Sequence, residues 1–275
     1  MSRAFALLKT APTSARLGLV VVAGYGVVAV LAPALAPYGE TQIVGAEFTQ
    51  WSAQHWLGTD DLGRDVLSRL LYGARNTIGI AVLTTVSAFA LGGITGLVAG
   101  SLRGWVDQLL GRLVDVLMAV PSLILTLLLL AICGTSIFSM IAIIALVEST
   151  RIFRLARALA LGIGTLDYVT IARLRGEGLI WIIFREILPN AGAPLIAEFG
   201  LRFCFVFLFI ATLSFLGLGI QPPTADWGSM VRDNATLISY GQVAPLLPAG
   251  AIALLTLAVN FIVDWLVHQS SGLKD

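Results

Sequence analysis

Residues 167–190, DYVTIARLRGEGLIWIIFREILPN, form a polar, arginine-bearing insert in a chain otherwise made of long apolar runs. The spacing predicts a short helix over Asp167–Arg175, with an acid in its first turn and Arg173 and Arg175 in its last, as the helix dipole favours. Gly176 and Gly178 stop it. Leu179–Leu188 reads as a second helix, too short to span a bilayer, which Pro189-Asn190 ends before the next apolar run. The expectation is a helix-turn-helix on a membrane face, where a membrane protein docks a partner; the plainer alternative is an interfacial helix pair with no partner.

The surrounding composition sets the class. Apolar residues make up 57% of the chain and charged residues 12%, far from the soluble range. Charge-free runs cover 17–39, 76–102, 116–147, 203–225 and 234–263. A helix crosses the roughly 30 Å hydrocarbon core in about 20 residues, so four of these runs span once. The run 116–147 is too long for one span, and Gly134-Thr135-Ser136 offers a turn that divides it into 116–133 and 137–153. The result is an all-α membrane protein of six transmembrane helices. Its fourth span includes Glu148 and Arg151, one turn apart and near an interface, where pairing and snorkelling make them tolerable. The organisation expected is an N-terminal anchor helix with an outer segment over 1–75, then a five-helix core over 76–275 that contains the polar loop 151–195.

Lys and Arg give the orientation. With the N-terminus in the cytoplasm, twelve basic residues fall inside (Arg3, Lys9, Arg16, Arg103, Arg112, Arg151, Arg154, Arg157, Arg173, Arg175, Arg185 and Lys274) and four outside (Arg64, Arg69, Arg75 and Arg232). This asymmetry predicts two cytoplasmic termini and a cytoplasmic insert. The N-terminus has the charge and hydropathy of a signal peptide ending at Ala34-Leu35-Ala36, but Pro37 blocks cleavage there and the run is long enough to span, so it reads as an uncleaved anchor. Cys133 and Cys204 read as buried packing residues at opposite depths rather than as a disulfide.

No catalytic constellation stands out. His55 and His268 are the only histidines and fall on opposite sides in this topology, which leaves no histidine-based metal site or triad within one subunit. Neither lysine ends a phosphate loop of the GxxxxGK[ST] kind, so nucleotide-driven work requires another chain. Ion-coupled transport is the rival reading, and it calls for ionisable groups near mid-membrane. Glu148, Glu198, Arg202 and Asp264 instead lie near the cytoplasmic ends of their helices, and the i, i+4 spacing of Glu198 and Arg202 favours a local ion pair. Gly92, Gly96 and Gly100 form a repeated GxxxG, with Gly93 beside it, that predicts close packing against another helix of this chain or of another subunit. Pro121 and Pro248 mark kinks or helix starts.

Three motifs carry a family resemblance. In the insert, Thr170-Ile171-Ala172 followed by Gly176 and Leu188-Pro189 resembles the cytoplasmic loop of bacterial ABC-importer permeases, with Thr170 standing where that loop has an acid. HWLGTDDLGRDVLSRLLYGAR over 55–75, where Val66–Leu71 reads as an amphipathic stretch, and SFLGLGIQPPTADWG over 214–228 resemble outer segments of the dipeptide, oligopeptide and nickel group, in particular its second, C-type permease subunit. The resemblance covers nearly the whole chain. It implies a type I importer fold and a permease subunit forming half of a translocation pore, without an ATPase site of its own. It further implies a homologous second permease, two ATPase subunits carrying ATP and Mg, a periplasmic substrate-binding protein, and a place in the lipid of the bacterial inner membrane; it implies no cofactor in this chain and no nucleic acid. By the same resemblance, Asp167, Tyr168, Thr170, Ile171, Ala172, Arg173, Gly176 and Glu177 contact the ATPase, Leu188 and Pro189 hold the loop, and segments 38–75 and 218–243 meet the binding protein. Peptides are the default substrate, with nickel chelates, glutathione-like and other small solutes open.

Overall fold

A computed structural model describes residues 11–240 and 243–271, so Arg3, Lys9 and Lys274 of the charge asymmetry lie outside the described residues. Regular structure among the described residues is helical. The helices are α1 (Thr13–Leu35), α2 (Val66–Leu102), α3 (Gly104–Met118), α4 (Ser122–Cys133), α5 (Ile137–Ile163), α6 (Asp167–Leu174), α7 (Leu179–Phe215), α8 (Trp227–Asp233) and α9 (Leu246–Ser271), with a 3-10 turn at Ala235–Tyr240. Only isolated bridges, Ile43 with Arg64 and Thr59 with Asp65, add β pairing in the segment before α2.

Four helices, α1, α2, α7 and α9, are long and apolar enough to cross a membrane, and the bent pair α3–α4 makes a fifth if counted as one span. Helix α5, expected as a further span, is 27 residues long but falls outside this count because it carries Glu148, Arg151, Arg154 and Arg157.

Several expected boundaries move, each for a local reason. The stretch 66–75 is the first part of the 37-residue α2 rather than a separate amphipathic segment. The expected helix over 116–133 is two helices meeting at 88°, because Pro121 caps the second with extended backbone and has no N–H to continue the first. Helix α5 runs on to Ile163 instead of stopping near 153. Pro189 does not end a short helix: residues 179–188 are the first turns of a 37-residue helix. Cys204 is buried as expected, whereas Cys133, at the end of α4, is exposed.

The chain divides into two compact units. One comprises the residues up to Val82 together with Thr135–Ile137 and Phe203–Trp265; the other comprises Leu83–Gly134, Phe138–Arg202 and the residues from Leu266. In the first, Trp227 is almost fully buried. Its Nε1 donates to the Leu70 carbonyl at 2.9 Å, and its ring meets Tyr25 and Phe207 edge-on. Gly73 lies against that ring, so a side chain there would displace it. In the second, Gly92, Gly96 and Gly100 of α2 face the backbone carbonyls of Ser149, Phe153 and Arg157 on α5. Their missing side chains let the two backbones approach within van der Waals reach, and Ala88, Ala145 and Ile152 extend the seam.

Candidate functional site

The second unit holds the polar insert. Helix α6 is eight residues long, with Asp167 in its first turn and Arg173 in its last. Val169 and Ala172, three residues apart, are fully buried. They belong to a core in which Leu97 of α2, Ala156 and Ala160 of α5, and Ile182, Ile183 and Ile187 of α7 take part. The opposite face is bare. Tyr168, Ile171 and Leu174 recur every three residues along it, and Leu174 is 83% exposed. Asp167, Thr170 and Arg173 are exposed beside them. The insert is thus a short helix anchored by two small apolar residues and presenting an apolar stripe with charged edges.

Its end is closed by backbone geometry. Gly176 takes φ of +82°, the left-handed region that glycine enters without strain. Its N–H donates to the Arg173 carbonyl at 3.0 Å, and the Glu177 N–H donates to the Ala172 carbonyl at 3.2 Å. These are the paired bonds of a Schellman stop. The Arg175 guanidinium then sits 5.9 Å from the centre of the Trp181 ring, a cation–π contact between the end of α6 and the first turn of α7.

Between the insert and the apolar part of α7 the helix widens into a π turn over Ile183–Ile187, and the Leu188 N–H reaches the Ile183 carbonyl five residues back. An α-helical Pro189 would have no N–H for the Arg185 carbonyl and would press its ring on it. The wide turn absorbs this misfit, and Asn190 Nδ2 donates to the Glu186 carbonyl at 2.6 Å. Leu188 and Pro189 therefore sit at the junction of two helical registers.

Helix α3 is tied to α5 by charge. Arg157 makes a two-pronged contact with Asp107, and Arg154 Nη2 lies 2.6 Å from Asp115 Oδ1. Glu148 of α5 is buried, and its Oε2 accepts from Arg202 Nη1 of α7 at 2.9 Å; Arg202 Nε donates to Glu198 at 2.7 Å. The local Glu198–Arg202 pair follows from its i, i+4 spacing. The expected pair of Glu148 with Arg151 is present, Nε to Oε2 at 3.9 Å; the bridge to Arg202, 54 residues away, has no signal in local spacing.

In the first unit the motifs over 55–75 and 214–228 come together. Glu40 Oε1 accepts from Asn76 Nδ2 at 2.8 Å and from the Ala225 N–H at 2.5 Å. Asp226 caps α8 through the Ser229 N–H at 2.8 Å and accepts from the Thr77 hydroxyl at 3.0 Å. Arg64 and Arg69 share Asp60 Oδ2, at 2.7 and 3.2 Å. Burial pushes the Asp226 carboxyl above the ordinary carboxylate range, against the lowering effect of its hydrogen bonds from Ser229, Ser214 and Thr77. Trp51 and Trp56 are exposed on this segment.

Sequence reasoning missed Leu174 and the Arg175–Trp181 contact. The signal for Leu174 was present, since it continues the three-residue spacing of Tyr168 and Ile171. The contact had none, because it depends on how the turn folds back.

Comparison with known proteins identifies the family. Residues 92–271 match the family described as the binding-protein-dependent transport system inner membrane component. The chain is 35% identical over 251 residues to the dipeptide transport system permease protein of Alkalihalophilus pseudofirmus, covering 90% of this chain and 82% of that one. It is 40% identical over 214 residues to the di/tripeptide transport system permease protein of Pseudomonas aeruginosa, covering 78% and 71%. Among solved structures, an amino acid ABC transporter crystallised with histidines superposes with a TM-score of 0.53 at 18% identity, covering 72% of this chain and 92% of that chain. This last likeness speaks to the fold alone.

Proposed function

This chain belongs to the family of inner-membrane components of binding-protein-dependent transport systems, and we propose that it serves as a permease subunit of an ABC importer for peptides. The carrying observation is its identity to dipeptide and di/tripeptide permeases over most of their length. The insert supports the finer reading. Its exposed stripe of Tyr168, Ile171 and Leu174, on a base fixed by Val169 and Ala172, suits a surface pushed by another protein.

In this reading the chain forms half of a pore with a homologous permease, spans the inner membrane six times with α5 as the fourth span, and keeps both termini in the cytoplasm. Residues 1–75 supply the anchor helix and outer segment, and 76–275 the permease core. Separate ATPase subunits bind ATP and Mg, while this chain binds no cofactor. Asp167, Tyr168, Thr170, Ile171, Ala172, Arg173, Gly176 and Glu177 form or shape the ATPase contact, and Leu188-Pro189 joins it to α7. ATP binding closes the ATPase pair, α6 moves with it, and the helices exchange inward-facing for outward-facing arrangements. The outer segments around Trp51, Trp56 and 218–243 receive the substrate-binding protein.

The test is co-expression with a partner permease, ATPase and binding protein from the same organism, followed by purification and reconstitution in vesicles. The ATPases should co-purify, and a labelled dipeptide should enter only with ATP present on the ATPase side. Uptake by the lone chain driven by a pH gradient would overturn the reading in favour of ion coupling.

A further inference from the structure

The coupling reading leaves one set of charges unused. Glu148 is 1% exposed, and its Oε2 is engaged by Arg202 of α7 at 2.9 Å and, more distantly, by Arg151 of its own helix at 3.9 Å, while Oε1 has no hydrogen-bond partner. Ionisable groups within apolar helices are costly and are kept for a purpose. Arg202 already has a carboxylate on its own helix in Glu198, at 2.7 Å. What Glu148 adds is therefore a bond between helices: it joins α5, which leads into the insert, to α7, which leads out.

This bond closes a ring. The chain runs from Glu148 along α5, through α6 and the Schellman turn, and back along α7 to Arg202, 54 residues on. At its far end the ring is held by the core of Ala156, Ala160, Val169, Ile182, Ile183 and Ile187. From that core to Arg202, α7 has two weak places, the π turn at Ile183–Ile187 within the core and Pro194 beyond it, and such places are where helices bend. Arg202 is also the last residue of its compact unit before the chain enters the other.

We propose that Glu148 and Arg202 are positioning residues that clamp α5 to α7, so that a displacement of α6 moves both helices as one body instead of being absorbed by bending of α7. The proposal rests on the reading of α6 as the ATPase contact. Without the pair, a push on α6 is relieved at the π turn and Pro194 and does not pass Arg202. Glu198 has a different part: it bonds within α7 and bridges nothing.

The experiment uses the whole complex, this chain with its partner permease, ATPases and binding protein, in lipid nanodiscs. Glu148→Gln, Arg202→Met, Arg202→Lys and Glu198→Gln are compared by ATPase co-purification and by the ratio of ATP hydrolysis with and without binding protein. Glu148→Gln and Arg202→Met should retain the ATPases and a near-wild-type unstimulated rate while stimulation falls about fivefold or more. Arg202→Lys should restore most of the stimulation, and Glu198→Gln should keep it. Wild-type stimulation in both Glu148→Gln and Arg202→Met would overturn the clamp. So would loss of assembly in both, which would make the pair a folding element only. Absence of the ATPases from the wild-type complex would instead overturn the reading of α6.

Discussion

The backbone N–H of Glu177 donates to the carbonyl of Ala172, 3.2 Å away, and so ties the residue beyond the turn to the buried anchor of α6. Position 176 lies inside this closure at φ of +82°. Gly176→Val must hold a β-branched side chain in the left-handed region, at a cost of about 1–3 kcal/mol. Nothing lies within 4 Å of an added Cβ there, so the penalty is conformational and local. The variant should insert and pair with its partner permease but lose ATPase attachment or stimulated hydrolysis, as read by co-purification and phosphate release. Wild-type attachment together with wild-type transport would remove α6 from the mechanism.

Leu174 gives a test free of strain. At 83% exposure its side chain supports little of the fold, so Leu174→Asp should shift thermal stability by less than about 0.5 kcal/mol. The same change places a charge in the proposed contact and should reduce ATPase co-purification severely. Reversal of Arg173 should weaken the contact less, since that residue stands at the edge of the stripe. An unaffected contact in Leu174→Asp would place the ATPase elsewhere.

The glycine seam predicts a contrast between neighbours. A Cβ at Gly96 would meet the Phe153 carbonyl at 2.6 Å and the Ala156 side chain at 2.9 Å, whereas one at Gly93 meets nothing within 4 Å. Gly96→Leu should cost about 1–3 kcal/mol by overpacking and lower the unfolding temperature in detergent. Gly93→Ala should leave that temperature equal or higher, because alanine is the better helix former. Equal effects at the two positions would refute the seam.

Asp226 makes stability depend on pH in a direction unusual for an aspartate. Its folded pKa is raised by burial above the ordinary aspartate value of 3.8, so the native state holds the proton more tightly than the unfolded chain. The stabilisation from that proton is complete below pH 3.8 and is lost as pH rises through the folded value. Asp226→Asn lacks the titration. The difference in melting temperature, wild type minus variant, should therefore shrink as pH rises across this window. A difference that grows with pH would show that hydrogen bonding to the carboxylate outweighs its burial.

Topology is checked by single cysteines on a background lacking Cys133 and Cys204. Ser52→Cys should react with an impermeant maleimide in intact spheroplasts, and Thr165→Cys only after permeabilisation. Labelling of position 165 in intact spheroplasts would invert the proposed orientation.

What was legible in the sequence was whatever depends on near neighbours. The end of α6 at Gly176, the turn at Gly134-Thr135-Ser136 and the Glu198–Arg202 pair all follow from spacing along a few residues. Pro121 is legible as a kink or helix start and does begin α4, but nothing in the apolar run 116–133 reveals that the break there reaches 88°. In the second half of the insert, Pro189 has the sequence signature of a helix stop, whereas a π turn beside it lets the helix continue. Glu148 with Arg202, and α2 with α5 through the glycines of α2, depend on which helices become neighbours, and one sequence does not encode that in any local pattern.

The π turn at Ile183–Ile187 has a geometric consequence for how such an insert is attached. One extra residue in a helical turn advances everything after it by about 100° relative to an uninterrupted α-helix. Residues 179–182 and 188–215 therefore share an axis but not an angular phase. The face that the insert shows to its core is set independently of the face that the apolar helix shows to its own neighbours. Removing a single residue from 183–187 would leave a continuous α-helix with its two ends still in their present phase, whereas winding all five residues as α-helix would turn one end against the other by about 100°.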